Sequence, residues 1–402
     1  MVEGRHVDAD GTPVGDNFLI NTTTANLQFD PSMALLGNGH NVASFTDHSS
    51  GTDVVRIRIL GDGAPEDDFA VPANAKPLRE SDITALGSDG FAVAYTRDYG
   101  GGDTDVFVQR YEADGDLVGG VIVVDSSAVL ATDHASIVGL VSGGFVVTWE
   151  QSATAGGDHS VWFRLYDASG VAQGGSQSID TSGSINQDIQ VAALQDGGFV
   201  VAYADNGWVD ANGGDDENST EITARVYNAD GTARSGYFVV NTDILYDQLH
   251  PTITVLSNGF FVVGWISGSQ LFYQAYDPSG TAIGDNYITN NIGVTEAEIA
   301  ALADGRMANV HESFITDGAG TSIRSSIHAL TRTTAGTAAD EILTGDALRD
   351  IISGASGDDT LDGGTADDTL FGDADNDVLR GGMGADDLDG GLGTDTASYY
   401  NA

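Results

Sequence analysis

From residue 336 to the end of the chain a single nine-residue register runs without an insertion. A glycine stands at Gly336, Gly345, Gly354, Gly363, Gly372, Gly381 and Gly390. Five residues after each comes an acid: Glu341, Asp350, Asp359, Asp368, Asp377, Asp386 and Asp395. Two further on is an apolar position, held by Leu343, Ile352, Leu361, Leu370, Leu379, Leu388 and Ala397. Neither a helix nor a plain alternating strand has this period. It suits a tight turn, in which glycine permits positive φ, followed by a short strand whose apolar member points inward. Two units make one coil, so turns on one side lie eighteen residues apart. Carbonyls and one carboxylate per turn are hard oxygen donors, and calcium takes about six to eight of them.

The pattern resembles the G-G-x-G-x-D-x-U-x nonapeptide of RTX (hemolysin-type) calcium-binding proteins. The resemblance implies a parallel β-roll that folds on Ca2+. The ligands expected are Asp350, Asp359, Asp368, Asp377, Asp386 and Asp395, with the turn glycines Gly354, Gly357, Gly363, Gly372, Gly381, Gly384, Gly390 and Gly393. Ion sites are expected between Asp350 and Asp368, Asp359 and Asp377, Asp368 and Asp386, and Asp377 and Asp395. The first two units are degenerate, with Leu348 and Arg349 where glycine and a small residue belong, and are expected to cap the roll.

Sixty acids against fifteen bases give a net charge of −45, and sixteen of those acids lie from Gly336 onward. Such charge argues against nucleic-acid binding and against anionic membrane surfaces. There is no cysteine, so calcium rather than disulfides would staple an extracellular fold. No apolar stretch is long enough to span a membrane, and no signal peptide opens the chain. RTX proteins leave the cell by type I secretion with an uncleaved C-terminal signal. The resemblance therefore implies an extracellular or cell-surface location. Tyr399, Tyr400, Asn401 and Ala402 follow the roll directly, which suggests a fragment of a longer protein.

Upstream, a second and looser repeat marks the chain. A turn and an apolar run ending in an aromatic recur at 86–95 (LGSDGFAVAY), 141–149 (VSGGFVVTW), 194–203 (LQDGGFVVAY) and 256–265 (LSNGFFVVGW), with weaker copies at 36–45 and 302–311. A D-x-x-G-like turn precedes each, at Gly11, Gly63, Gly115, Gly170, Gly231 and Gly280. Period-2 alternation makes each repeat four strands. In the fourth repeat these are Gly174 to Ile179, Ile189 to Leu194, Phe199 to Ala204 and Glu221 to Tyr227. Phe199, Val201 and Tyr203 face one way, Val200 and Ala202 the other, so this strand is covered on both faces. That favours an all-β, six-bladed β-propeller-like domain over residues 1–334, followed by the calcium-binding parallel β-roll over 335–402. An open array or a pair of sandwiches are the alternatives. Val2 to Val7 reads as a last strand without its partners, either completing the final blade or left over from an upstream one. The repeats resemble the D-G-G-F-V-V-x-W repeats that accompany RTX rolls in large secreted bacterial proteins.

Signals for chemistry are few. No G-x-S-x-G, H-E-x-x-H or phosphate-binding loop is present. The Asp196-Gly197-Gly198 runs read as hairpin turns, and the D-x-x-G turns as plain turns. His134 and His250 fall at similar places at the starts of second strands, where a surface or turn role is expected. The longest insertion, 205–218, sets Trp208 among Asp205, Asp210, Asp215 and Asp216. Carboxylates with a tryptophan face suit a calcium-assisted glycan site. The expected role is binding to a glycan or cell surface rather than catalysis. The alternative is part of a secreted polysaccharide- or protein-degrading enzyme, which should gather carboxylates at the propeller axis.

Overall fold

The computed structural model describes the chain except for residues 1, 8–12, 23–24, 62–66, 73–75, 88–89, 127–130, 153–158, 181–185, 207–219, 243–245, 258, 303–305, 314–321, 329–330, 346–347 and 399–402. The described residues hold strands and turns and no helix. Six antiparallel sheets follow one another as the blades of a propeller-like ring, and two parallel sheets then form a solenoid.

The inner strands of the blades are Gln28–Leu35, Leu78–Leu86, Ala131–Gly139, Asn186–Ala193, Gln248–Val255 and Val294–Ala301. Each inner strand packs beside the next from blade 1 to blade 6. Among the described residues, blades 1 to 5 have four strands in sequence order, and blade 6 has three.

The second strands explain the repeated apolar run. In Phe199–Asp205 every residue is buried. Phe199, Val201 and Tyr203 join the cluster shared with blade 3, while Val200, Ala202 and Ala204 join the one shared with blade 5. Burying each large side chain in this way contributes about 1.5–3 kcal/mol. The phenylalanine at the start of the second strand in blades 2 to 5 stacks on a tyrosine of the third: Phe91 on Tyr111, Phe145 on Tyr166, Phe199 on Tyr227, Phe261 on Tyr276, with centroids 5.0, 4.8, 5.0 and 5.2 Å apart. Such cross-strand pairs set the register. The turn before the run is equally determined. Gly197 has φ +92°, and a Cβ on Gly198 would sit 2.5 Å from the Tyr227 carbonyl oxygen, so two glycines in sequence are needed.

Two strand assignments differ from the sequence reading. The strand placed first in the fourth repeat pairs instead with the preceding sheet: Gln177–Asp180 is the outer strand of blade 3, bonded to His159–Tyr166. The sequence unit is thus shifted by one strand from the blade, because a loop and a blade boundary look alike along the chain. Glu3–Val7 does not complete blade 6. It forms a hairpin with Pro13–Leu19, and Val2, Phe18 and Ile20 cover Ala43, Phe45 and Leu60 of blade 1.

The solenoid begins at Thr331–Ala335, which pairs in parallel with Arg349–Ser353. Strands eighteen residues apart then stack in two parallel sheets, as Leu361 on Leu379 and Ile352 on Leu370 show. Ile352, Leu361, Leu370 and Leu379 fill its core, with Leu343 and Leu388 at the ends.

Candidate functional site

Two places gather polar chemistry: the turns of the solenoid and the axis of the propeller. In the solenoid each turn aspartate is tied to its counterpart one coil on. The backbone N–H of Asp350 donates to Asp368 Oδ1 at 2.7 Å, and that of Asp359 to Asp377 at 2.8 Å. Asp368 donates likewise to Asp386, and Asp377 to Asp395, both at 3.0 Å. In each of these four pairs the contact is a backbone hydrogen bond. Asp350, Asp359, Asp368 and Asp377 are buried. The second carboxylate oxygens of Asp359 and Asp377 are buried with no hydrogen-bond donor. A buried carboxylate oxygen without a donor is costly unless a cation meets it.

The space at these oxygens has the shape of a cradle. A Cβ placed on Gly354 would lie 2.6 Å from Asp359 Oδ2 and 2.9 Å from the Gly372 carbonyl oxygen. On Gly372 it would lie 2.5 Å from Asp377 Oδ2 and 2.6 Å from the Gly390 carbonyl oxygen. Gly345 with Asp350, and Gly363 with Asp368, repeat the arrangement. At Gly381 and Gly390 the nearest atoms all belong to Asp386 and Asp395 respectively. Gly357, Gly384 and Gly393 supply left-handed turn positions, at φ +109°, +144° and +148°. Among the described residues no group of three or more carboxylate or imidazole side chains is placed to hold a metal ion. The cradles offer single carboxylate oxygens beside backbone carbonyls, a donor set that fits calcium. Asp377 shows the electrostatic pressure: burial first, then the charges of Asp359, Asp395 and Asp358, hold its carboxyl above the usual range.

At the propeller axis the pattern is one the sequence reading missed. Each inner strand of blades 1 to 5 carries a bulge near its start, and one bulge residue is left-handed: Asp30, Glu80, His134, Asp188 and His250, with φ between +49° and +58°. Blade 6 breaks register beside Glu296. A left-handed non-glycine costs about 1 kcal/mol or more. In a chain with 54 glycines, none of these five positions is glycine, and all five carry an ionisable side chain.

These groups feel one another across the blades. Asp30 stands exposed on its strand, and crowding by neighbouring protein and then the charge of Glu296 raise its carboxyl, against the solvent around it. Glu80 is raised by burial, against the pull of His134. Glu298 occupies an exposed position on the inner strand yet is crowded by protein. That crowding, with Asp82 and Glu296, pushes it up to about 7, and solvent at the axis opposes the push. Asp82 has a structural part: it accepts from Ser32 Oγ at 2.7 Å and from the Ile137 N–H at 2.9 Å, joining blades 1, 2 and 3.

His134 and His250 are half exposed, as a surface role would require, but each is engaged at the axis. His250 Nδ1 lies 3.3 Å from Asp188 Oδ2. His134 Nδ1 and His159 Nδ1 lie 3.3 and 3.1 Å from Glu150 Oε2, whose side chain is 1% exposed. The Glu150 hydrogen bond raises His134 from 6.5 to about 10 against the effect of burial. Glu150 is lowered by its two histidines although burial opposes this. The histidine part of this stability is complete below pH about 6.5 and is lost as pH rises through about 10. The glutamate part is present above its ordinary range and is lost in acid. An NMR titration should therefore find His134 protonated at pH 8, and Glu150→Gln should return it to neutral there. A His134 that is already neutral at pH 8 in the unaltered protein contradicts the pairing.

Of the proposed loop face, Asp205 is buried at the end of its strand, opposite Glu221. Trp208, Asp210, Asp215 and Asp216 lie outside the described residues. Aligning the six strand starts (DPS, ESD, HAS, DIQ, HPT, EAE) would have exposed the axial ring, but only with the blade boundaries already known.

Residues 335–370 and 362–397 match the RTX calcium-binding nonapeptide repeat (4 copies). The solenoid is an RTX calcium-binding region. Among curated proteins nothing matches. Solved structures share the propeller. A protein of unknown function from Dyadobacter fermentans aligns at 11% identity over 77% of this chain and 96% of its own, with TM-score 0.53. The α-L-arabinanase of Penicillium chrysogenum, solved with arabinobiose, aligns at 13% identity over 75% and 93%, with TM-score 0.51. A PL25 ulvan lyase aligns at 9% identity over 73% and 77%, also with TM-score 0.51. At these identities the likeness is one of fold.

Proposed function

We propose that this is an extracellular protein whose roll folds on calcium and whose propeller cleaves a neutral polysaccharide at the axial ring. The observation that carries this reading is the left-handed ionisable residue repeated on five inner strands at positions glycine would occupy at lower cost. Gathered axial carboxylates are what separates an enzyme from an adhesion module. Acid catalysis needs a carboxyl kept protonated near neutral pH beside one kept ionised. Glu80, whose carboxyl is raised by burial, suits the acid role, and Asp188, whose Oδ2 lies 3.3 Å from His250 Nδ1, supplies a further carboxylate of the ring. The surplus of acids disfavours uronate or sulfated chains by like-charge repulsion. The arabinanase and the ulvan lyase support a carbohydrate reading for this fold, though their substrates are their own. Secretion is inferred from the RTX region.

The test is release of reducing ends from a panel of neutral polysaccharides in calcium. Glu80→Gln and Asp188→Asn should each lower the rate by about 10²–10⁴. Retention on a glycan array with no turnover by the unaltered protein would favour the adhesion reading instead.

A further inference from the structure

Blade 6 is the weak member of the ring. Among the described residues it has three strands where the others have four. Its inner strand, Val294–Ala301, packs on blade 5 but makes no comparable contact with the inner strand of blade 1. Apolar side chains stand exposed on both of these blades: Met33 and Leu35 on blade 1, Val310 and Ile323 on blade 6. The apolar support of blade 6 therefore comes from blade 5, through Val294, Ala297, Ile299 and Met307 against Leu256, Leu271 and Tyr273.

One residue of the roll enters that same cluster. Leu348 is 6% exposed and belongs to the core shared by blades 5 and 6, not to the leucine core of the roll. It stands where the nonapeptide register calls for glycine. Two residues on is Asp350, whose N–H is held by Asp368 and whose carboxylate faces Gly345 in the first well-formed cradle. Leu348 leads directly into the strand Arg349–Ser353, which is bonded on both sides within the roll.

We infer that calcium in the roll stabilises the propeller by fixing Leu348 in the core of blades 5 and 6. Ordering of the roll fixes the strand after Leu348, and that strand holds the side chain in place. Loss of the ion frees the segment, and the cluster around Met307 loses one wall. Stabilisation by a ligand that binds only the ordered form propagates to whatever is ordered with it.

Hydrogen exchange on the full chain tests this. In millimolar calcium the amides of Val294–Ala301 and Met307–Ser313 should exchange about tenfold more slowly than in chelator, while Phe145–Ser152 of blade 3 stays unchanged. In Leu348→Ala that slowing should vanish, although calcium still protects Thr360–Thr365 in the roll. Asp377→Ala leaves Leu348 in place and weakens the roll, so its calcium midpoints for roll and blade 6 should move together. Blade 6 exchange that ignores calcium, slowing that survives Leu348→Ala, or midpoints that separate in Asp377→Ala would each overturn the coupling.

Discussion

Chelating calcium should unfold residues 354–398 while blades 2 to 4 stay intact. The roll buries Asp350 with Asp368 and Asp359 with Asp377 in two columns, the members of each eighteen residues apart, with Arg349 and Arg380 as the bases from residue 336 onward. Its hydrophobic core is a single file of leucine and isoleucine side chains. Each contributes about 1.5–3 kcal/mol, too little to offset several buried carboxylates left without counter-ions. Blades 2 to 4 have no such deficit. Amide exchange on the full chain should therefore show protection of Thr360–Thr365 and Val378–Met383 rising about a hundredfold between chelator and saturating calcium. Magnesium, which resists dehydration and demands octahedral geometry, should not substitute. Equal protection with and without calcium would sink the reading. Acid should partly replace the ion. Asp377 has a folded-state pKa raised above its ordinary value, so the metal-free roll is penalised as pH rises through that range and relieved as pH falls below it.

Gly372→Ala should abolish the site at Asp377. The added methyl would enter the cradle 2.5 Å from Asp377 Oδ2 and 2.6 Å from the Gly390 carbonyl oxygen. One of these atoms is backbone, directly after the stacked strand Asp387–Asp389, and cannot step aside cheaply. Overpacking of this kind costs about 1–3 kcal/mol, before the lost ion is counted. Gly120, on the outer strand of blade 2, has nothing within 4 Å of its Cβ position, so Gly120→Ala serves as the control. Calorimetric titration should show fewer calcium ions bound to Gly372→Ala than to the parent and no change for Gly120→Ala. An unchanged stoichiometry in Gly372→Ala would show that the ion does not occupy this cradle.

The roll was legible from residues alone because its interactions are local in register. Glycine, aspartate and leucine recur at fixed offsets, and each bonds to its own copy eighteen residues away, so the pattern is the structure. The apolar runs of the propeller were legible for a similar reason. Phe199 to Ala204 alternates its packing between two neighbours, and two-sided burial leaves two-sided hydrophobicity in the sequence. Blade boundaries were not legible, since Gln177–Asp180 joins the sheet before it by hydrogen bonds that leave no mark on composition.

What the amino-acid order determined by itself is therefore the class of the fold, the calcium region and the strands that must be buried. The rest belongs to tertiary structure. Asp30, Glu80, His134, Asp188, His250 and Glu296 are separated by about fifty residues each, and single acids and histidines are common in a chain this charged. Only closing the blades around one axis brings them within reach of each other's fields. Leu348 likewise reads as a flaw in the nonapeptide until the fold places it in the core of blades 5 and 6. Both are decided by contacts between distant segments, which a periodic pattern cannot encode.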